Sequence, residues 1–122
     1  MIYHITTKQA WADAQAKGEY TAPSLQTEGF IHCSTDKQVP HVANAFYRGR
    51  NDLVLLKLDE NRISSQVKWE APAGPPVDGI SESDLFPHIY GVINLDAVDS
   101  VINFQPNEST GLFTDQSLIS NL

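Results

Sequence analysis

Three histidines lie on segments whose alternation of apolar and polar residues is typical of β-strands. His4 stands near the N-terminus, His32 lies in the segment 29–34, and His88 precedes Tyr90 by two residues on one strand face. Imidazole can donate or accept a hydrogen bond and titrates near neutral pH, so it serves acid–base chemistry and ligand recognition. If the three strands are neighbours, these side chains converge on one cleft. If they are not, each is a hydrogen-bonded histidine of the core or of a sheet edge.

Two hydroxyl groups follow His32 where its strand gives way to a predicted helix. Ser34 and Thr35 can present these hydroxyls beside free backbone N–H groups, an arrangement that binds anions and equally serves as a helix cap. Gln38, one turn later, either hydrogen-bonds the same ligand or faces solvent. Phe30 can offer a stacking surface to a flat ring, although most aromatic side chains belong to the core. The sequence therefore indicates a small-molecule site at this junction, with a structural alternative for each residue.

A carboxylate stands at the start of a long proline-rich stretch. Glu70 precedes residues 71–87, which contain four prolines and two glycines and are predicted to form a loop. Loops longer than about 12–15 residues in compact domains are often lids or binding loops, so this one is a candidate site wall. Glu70 can hydrogen-bond a ribose hydroxyl or stabilise a cationic transition state, and an exposed strand-end glutamate is the ordinary alternative.

Metal binding is not expected at these residues, although histidine and cysteine are common metal ligands. Cys33 points to the opposite strand face from His32. The chain also has no Cys-x-x-Cys motif and no pair of histidines at i, i+4.

The elements that must position these residues are six predicted strands and two main helices. The strands cover residues 1–5, 29–34, 53–58, 67–70, 88–95 and 101–104, and the helices run from Thr6 or Thr7 to Gly18 and from Thr35 or Asp36 to Gly49. In the short strand 67–70, Val67 and Trp69 are expected to face inward. The tail 106–122 is weakly patterned. Since 122 residues with 41% hydrophobic side chains can fill one core, we expect a single α+β domain over 1–122.

The net charge of −7, from 8 basic and 15 acidic side chains, is unevenly distributed. Residues 1–50 carry five basic and four acidic residues, a net +1, whereas residues 51–122 carry three and eleven, a net −8. Long nucleic acid and anionic membrane are not expected as partners, because both require a basic face. A small dianion near Lys37, Arg48 and Arg50 stays compatible with the pattern.

Targeting signals are also not expected. No apolar run approaches the roughly 20 residues that span a bilayer, and Met1–Ile5 lack the basic flank and apolar stretch of a signal peptide. The lone Cys33 fits a reducing compartment. We therefore expect a cytoplasmic protein that is a monomer or a weak homodimer.

Four motifs in order carry a family resemblance: Tyr3-His4-Ile5, Gly29-Phe30-Ile31-His32-Cys33-Ser34-Thr35 with Gln38, Trp69-Glu70, and Phe86-Pro87-His88-Ile89-Tyr90-Gly91. Over residues 1 to about 104 the chain resembles the family called domain of unknown function 952. That family is placed in the ADP-ribosyltransferase-like superfamily. The resemblance implies an α+β fold in which two roughly perpendicular antiparallel sheets enclose a cleft for NAD.

The resemblance also implies a role for each motif. His4 would contact the adenosine ribose of NAD, and His32 would contact the nicotinamide end. The third motif, usually a glutamate, falls at His88 or Tyr90. Neither residue has a carboxylate, so Glu70 would have to supply it from elsewhere. The predicted catalytic residues are His4, His32, Glu70, His88 and Tyr90, and the predicted nucleotide-binding residues are Phe30, Ser34, Thr35 and Gln38.

These implications favour an ADP-ribosyltransferase-type transferase or NAD glycohydrolase that uses NAD or a related nucleotide as its substrate. The alternative is a non-catalytic nucleotide-binding or regulatory domain that kept the cleft and lost the catalytic group. Residues 30–36 and 54–59 show a weaker similarity to RNA 2'-phosphotransferases of the same superfamily. An RNA substrate is not expected, because the second part of the chain is acidic and the basic quartet of those enzymes is not evident.

Overall fold

The computed structural model describes residues 1–119, which form antiparallel sheets and helices in an α+β arrangement, as the sequence predicts. The strands are β1 (Ile2–Thr7), β2 (Glu19–Tyr20), β3 (Ile31–His32), β4 (Leu53–Leu58), β5 (Val67–Glu70), β6 (Phe86–Ile89), β7 (Ile93–Asn94) and β8 (Val98–Phe104). The α-helices are α1 (Lys8–Lys17), α2 (Pro23–Thr27) and α3 (Val39–Phe46), and single 3-10 turns cover Glu60–Arg62, Leu95–Ala97 and Asp115–Leu118. The last three residues of the predicted tail, 120–122, lie outside the described residues.

The strands make three sheets, so the expectation of two sheets is wrong within residues 1–119. Their orders are β1–β4–β8, β2–β7 and β3–β6–β5, and every pairing is antiparallel. The sheets β2–β7 and β3–β6–β5 include strands of two residues, which are too short to show an alternating pattern. The expectation of two main helices also missed α2, a short helix of 5 residues.

The centre of the first sheet is β4, which coincides with the predicted strand 53–58. Its residues Leu53–Leu56 and Leu58 are fully buried because apolar layers cover both faces of the strand. The even-numbered positions pack against β3 and β6, whereas the odd-numbered positions pack against α3 and Phe113. This strand therefore joins the sheet that carries His32 and His88 to the rest of the core.

The first helix begins and ends where the sequence predicts. The Thr7 side chain accepts a hydrogen bond from the backbone N–H of Ala10 at 3.0 Å and caps α1. Gly18 ends the helix in a left-handed conformation, with φ of 95°, which glycine adopts without steric cost.

The second predicted helix starts later than expected. Residues 35–38 form a turn, and regular α3 begins at Val39 with Pro40 in its first turn. Pro40 is tolerated there because the first N–H groups of a helix have no partner within it. The helix ends at Phe46, before Gly49.

The segment 29–34 pairs with β6 at Ile31 and His32, so the strand is shorter than predicted. The chain then changes sheets, because Ser34 exchanges two backbone hydrogen bonds of 2.8 Å with Tyr3 of β1. This segment therefore links the first sheet to the sheet β3–β6–β5, and the strand ends at His32 because its continuation pairs elsewhere.

Two further expectations about strands are wrong. The predicted strand 88–95 is divided into β6 and β7, because the chain bends at Gly91, where a side chain would meet Ser65 Oγ at 2.4 Å. Trp69 faces outward rather than inward, with 41% exposure, and its indole N–H donates to Glu60 Oε2 at 2.8 Å. Its strand β5 lies at the edge of its sheet.

No helix among residues 1–119 is both long enough and apolar enough to cross a membrane.

Candidate functional site

Glu70 is the centre of a cluster formed by two neighbouring strands. Its Oε1 atom accepts a hydrogen bond from His88 Nδ1 at 2.8 Å and another from the Tyr90 hydroxyl at 2.5 Å. Antiparallel pairing of β5 with β6 brings these residues together across a separation of about 20 positions, as Glu70 pairs with Phe86. The strand pairing therefore places a carboxylate beside His88 and Tyr90.

The cluster has a buried side and an exposed side. The His88 side chain is 3% exposed, whereas that of Glu70 is 37% exposed. The hydrogen bonds from Tyr90 and His88 lower the pKa of Glu70, and the same bond to Glu70 raises the pKa of Tyr90. The carboxyl of Glu70 is thus ionised at neutral pH. Both bonds end on Oε1, so Oε2 can accept a hydrogen bond from a ligand.

Phe30 packs against all the rings of this region. Its ring stacks on His88 with centroids 4.1 Å apart, and it meets the edge of His32 at 4.8 Å and the tilted ring of Tyr90 at 5.4 Å. Because one face of Phe30 covers His88, a ligand ring can stack only on the other face. The structure thus brings the predicted residues Phe30, His32, His88 and Tyr90 together around Glu70.

His32 lies beside the cluster and is more open to solvent. It pairs with His88 across β3 and β6, and their ring centroids are 5.7 Å apart. Its Nε2 lies 2.9 Å from Glu28 Oε2, and the two side chains are 42% and 45% exposed. Sequence reasoning missed Glu28. The four-residue spacing of Glu28 and His32 across Gly29, whose φ of 89° turns the chain back, is the signal that could have found this pair.

His4 is not brought to this cluster. Its ring is 7% exposed and forms hydrogen bonds on both nitrogens, from Nδ1 to the backbone carbonyl of His32 at 2.6 Å and between Nε2 and the Tyr20 hydroxyl at 2.7 Å. The hydroxyl oxygens of Tyr20 and Thr6 are 2.9 Å apart. Burial lowers the pKa of His4 to about 4, so the ring is neutral at pH 7. His4 therefore binds the backbone of β3 by a hydrogen bond from a buried position. Contact of His4 with a ligand stays a prediction.

Thr35 and Gln38 form a reciprocal cap before α3. The Thr35 backbone N–H donates to Gln38 Oε1 at 2.9 Å, and the Gln38 N–H donates to Thr35 Oγ1 at 3.3 Å. Gln38 Nε2 also donates to the backbone carbonyl of Leu85 at 2.9 Å. These bonds occupy the backbone N–H groups of Thr35 and Gln38 and the Gln38 amide, and they tie the end of the proline-rich loop to the start of the helix. Nucleotide contact by Thr35 or Gln38 stays a prediction.

A cavity of about 260 Å³ lies between the end of β3, α3 and the proline-rich loop. The loop residues 71–77 and 80–82 form one side, in the position expected of a site wall. The apolar side chains that line the cavity include Val42, Phe46, Pro72, Val77, Ile80 and Phe86. The polar side chains in the lining are His32, Ser34, Ser81 and Glu82. His32 belongs both to the cavity lining and to the aromatic contacts around Glu70, so the two features adjoin.

Cys33 also lines the cavity, but its chemistry is limited. The side chain is buried, and burial raises the pKa of its thiol far above neutrality. The thiol is therefore protonated at pH 7, and the reactive thiolate is not populated. Within residues 1–119, no three His, Cys, Asp or Glu side chains are arranged to hold a metal ion.

Comparison with known proteins finds a family whose model matches most of the chain. The model of the family described as a protein of unknown function, DUF952, matches residues 5–101, a range that includes Phe30, His32, Glu70, His88 and Tyr90. No curated protein matches the chain.

The fold is shared with protein CC0527 from Caulobacter crescentus. The X-ray crystal structures of this protein and of a double mutant each align with a TM-score of 0.77 at 27% sequence identity, covering 93% of this chain and 92% of that one. Its solution NMR structure aligns with a TM-score of 0.70 at 27% identity, covering 89% and 88% of the two chains.

Proposed function

This chain belongs to the DUF952 family, and we propose that it binds NAD or a related nucleotide and cleaves its N-ribosyl bond, as ADP-ribosyltransferase-type enzymes do. The observation that carries this proposal is the ionised and exposed carboxylate of Glu70, held on Oε1 by His88 and Tyr90. The proposal includes a fold of the ADP-ribosyltransferase-like class.

The reaction needs an anion near the ribose. When the bond between ribose C1 and the nicotinamide nitrogen breaks, its electron pair leaves with the nitrogen and the ribose acquires oxocarbenium character. A fixed carboxylate stabilises that positive charge, because it needs no reorganisation at the moment of reaction. Oε2 of Glu70 can meanwhile accept a hydrogen bond from a ribose hydroxyl. Water or an acceptor hydroxyl then bonds to C1 and releases a proton.

His32 is the group that we assign to this proton. When Nε2 donates to Glu28, Nδ1 of the neutral ring is left as a hydrogen-bond acceptor. His32 lines the cavity, whereas His88 is buried beneath Phe30 and acts as a support for Glu70.

The cavity supports recognition of a ring and its sugar. Ligand pockets are usually about 300–1,000 Å³ and mostly apolar, with a few polar groups that fix orientation. A cavity of about 260 Å³ is at the lower end of that range, which suits one nucleoside-sized part of a dinucleotide. Ser34 and His32 are among the polar groups that line it.

A second candidate function is nucleotide binding without turnover. The burial of His88 favours it, since this histidine cannot reach a substrate and leaves His32 as the one cluster histidine exposed for acid–base work within residues 1–119. In this case, the Glu70 cluster would recognise the ribose hydroxyls without breaking a bond.

Calorimetric titration with NAD and ADP-ribose, combined with measurement of nicotinamide released from NAD on prolonged incubation, separates the candidates. Saturable binding with nicotinamide release supports the enzyme. Saturable binding without release supports the binding domain. If neither binds, both functions are rejected for NAD and ADP-ribose.

A further inference from the structure

The cavity lining is acidic. Among the described residues that line it, Glu82 has a carboxyl side chain and none is lysine or arginine. Glu28 Oε2 lies 2.9 Å from His32, which lines the cavity, and Glu70 belongs to the adjoining cluster. Lys68 does not line the cavity; its Nζ lies 4.8 Å from the centroid of the Tyr90 ring, and its charge helps to lower the pKa of Glu70.

This distribution is unfavourable for phosphate. Protein sites for phosphate usually offer arginine, lysine or a set of free backbone N–H groups. Here the N-terminal turn before α3 is closed by the cap between Thr35 and Gln38. A phosphate buried against Val42, Phe46 and Val77 would lose its hydration without gaining a cation.

The same walls favour a flat ring with a positive charge. Apolar side chains bury the ring faces, and the carboxylate of Glu82 in the lining attracts the charge. A pyridinium ring joined to ribose has this chemistry, because its nitrogen is cationic until the N-ribosyl bond breaks.

We propose that the cavity selects a planar cationic nucleoside, an N-ribosyl pyridinium without phosphate, over the corresponding dinucleotide. This inference rests on the proposed function and narrows its substrate class. The ring occupies the apolar cavity, the ribose faces Glu70, and the unphosphorylated 5' end faces solvent. Each phosphate added at that end brings negative charge towards an acidic surface and weakens binding.

The test compares three probes in calorimetric titrations with the full chain: nicotinamide riboside, nicotinamide mononucleotide and NAD. The riboside is expected to bind about tenfold or more tightly than NAD at low salt, and the difference should shrink at high salt because charges are screened. Glu82→Gln is expected to weaken riboside binding about 3- to 10-fold. Glu108→Gln, an exposed carboxylate that does not line the cavity, is the matched control and should bind as wild type does.

The possible outcomes distinguish failure of this inference from failure of the proposed function. Equal affinities, or tighter binding of NAD with no effect of Glu82→Gln, overturn the charge selection and leave NAD cleavage standing. Tight riboside binding without nicotinamide release supports the selection and rejects the catalytic proposal. Absence of saturable binding by all three probes rejects both.

Discussion

The chain contains two clusters of histidine and tyrosine that use similar groups in opposite ways. His4 and Tyr20 lie inside the protein, and His4 has a hydrogen bond on each ring nitrogen. Around Glu70, the bonds from His88 and Tyr90 end on a carboxylate that is more than one-third exposed. The first cluster is closed and the second keeps an atom available to a ligand. A histidine on a strand therefore indicates a site only when its network ends at the surface.

The largest expected effect follows from removal of the negative charge of Glu70 in the second cluster. Glu70→Gln keeps the shape and the acceptor oxygen but loses the charge that faces the ribose, and we expect nicotinamide release from NAD to fall about 10²- to 10³-fold. Glu60→Gln is the matched control, because Glu60 also accepts a side-chain hydrogen bond, from Trp69, but does not line the cavity. If Glu70→Gln released nicotinamide as fast as wild type, the carboxylate of the second cluster would have no role in the reaction.

The closed cluster should instead control stability in acid. The pKa of His4 is lowered to about 4 from an ordinary value of 6.5, so the unfolded state binds more protons between these values. The free energy of unfolding should fall by about 2 kcal/mol from pH 6.5 to pH 5 on this account. Denaturant unfolding across this range measures the slope.

His4→Gln provides the corresponding control, because an amide can donate and accept at similar positions without titrating. Its stability should vary less between pH 6.5 and 5 than that of wild type, while nicotinamide release from NAD at pH 7 should change little. A steep loss of turnover in a folded His4→Gln protein would instead show that the buried histidine acts at the ligand.

A smaller effect is expected at the loop that walls the cavity. Gly79 has φ of 87°, and a side chain there would meet His41 Nδ1 at 2.3 Å, so Gly79→Ala should destabilise the protein by about 1–2 kcal/mol and weaken ligand binding. Gly18→Ala is the control, since Gly18 also has positive φ, has open space around it and does not line the cavity. Equal losses of ligand affinity in the two variants would show that the contact with His41 does not position the wall.

The smallest effect concerns the Tyr90 hydroxyl. Tyr90→Phe removes one of two hydrogen bonds to Glu70 Oε1, so the pKa of Glu70 should rise towards its ordinary value and turnover should fall about 3- to 10-fold. The pH dependence of nicotinamide release measures both changes. A profile that does not move would show that His88 alone fixes the carboxylate.

Local features of the fold could be predicted from the sequence. The continuous apolar run 53–58, the Thr7 cap and the Gly18 stop depend on neighbouring residues, and the structure confirms them. The break at Gly91 could not be predicted in this way, because the close approach of Ser65, which leaves no room for a side chain there, involves a residue distant in sequence.

The site was predictable in its residue types but not in its connections. The sequence identified Glu70, His88 and Tyr90 separately, and only the register of β5 on β6 places them on one oxygen. Alternation likewise put His4 and His32 on strand faces that could line one cleft, without showing that His4 is hydrogen-bonded to Tyr20 inside the protein. Long-range pairing decides which polar residue is satisfied internally and which is left for a ligand.

We expect ligands to bind at the Glu70 cluster and its adjoining cavity. A titration of isotope-labelled protein with NAD, followed by NMR chemical shifts at pH 7, tests this expectation most directly. We predict saturable shifts at Phe30, His32, Glu70 and Tyr90, with His4 unchanged. Saturable shifts centred on His4, or no shifts at the Glu70 cluster, would show that NAD does not bind at this cluster.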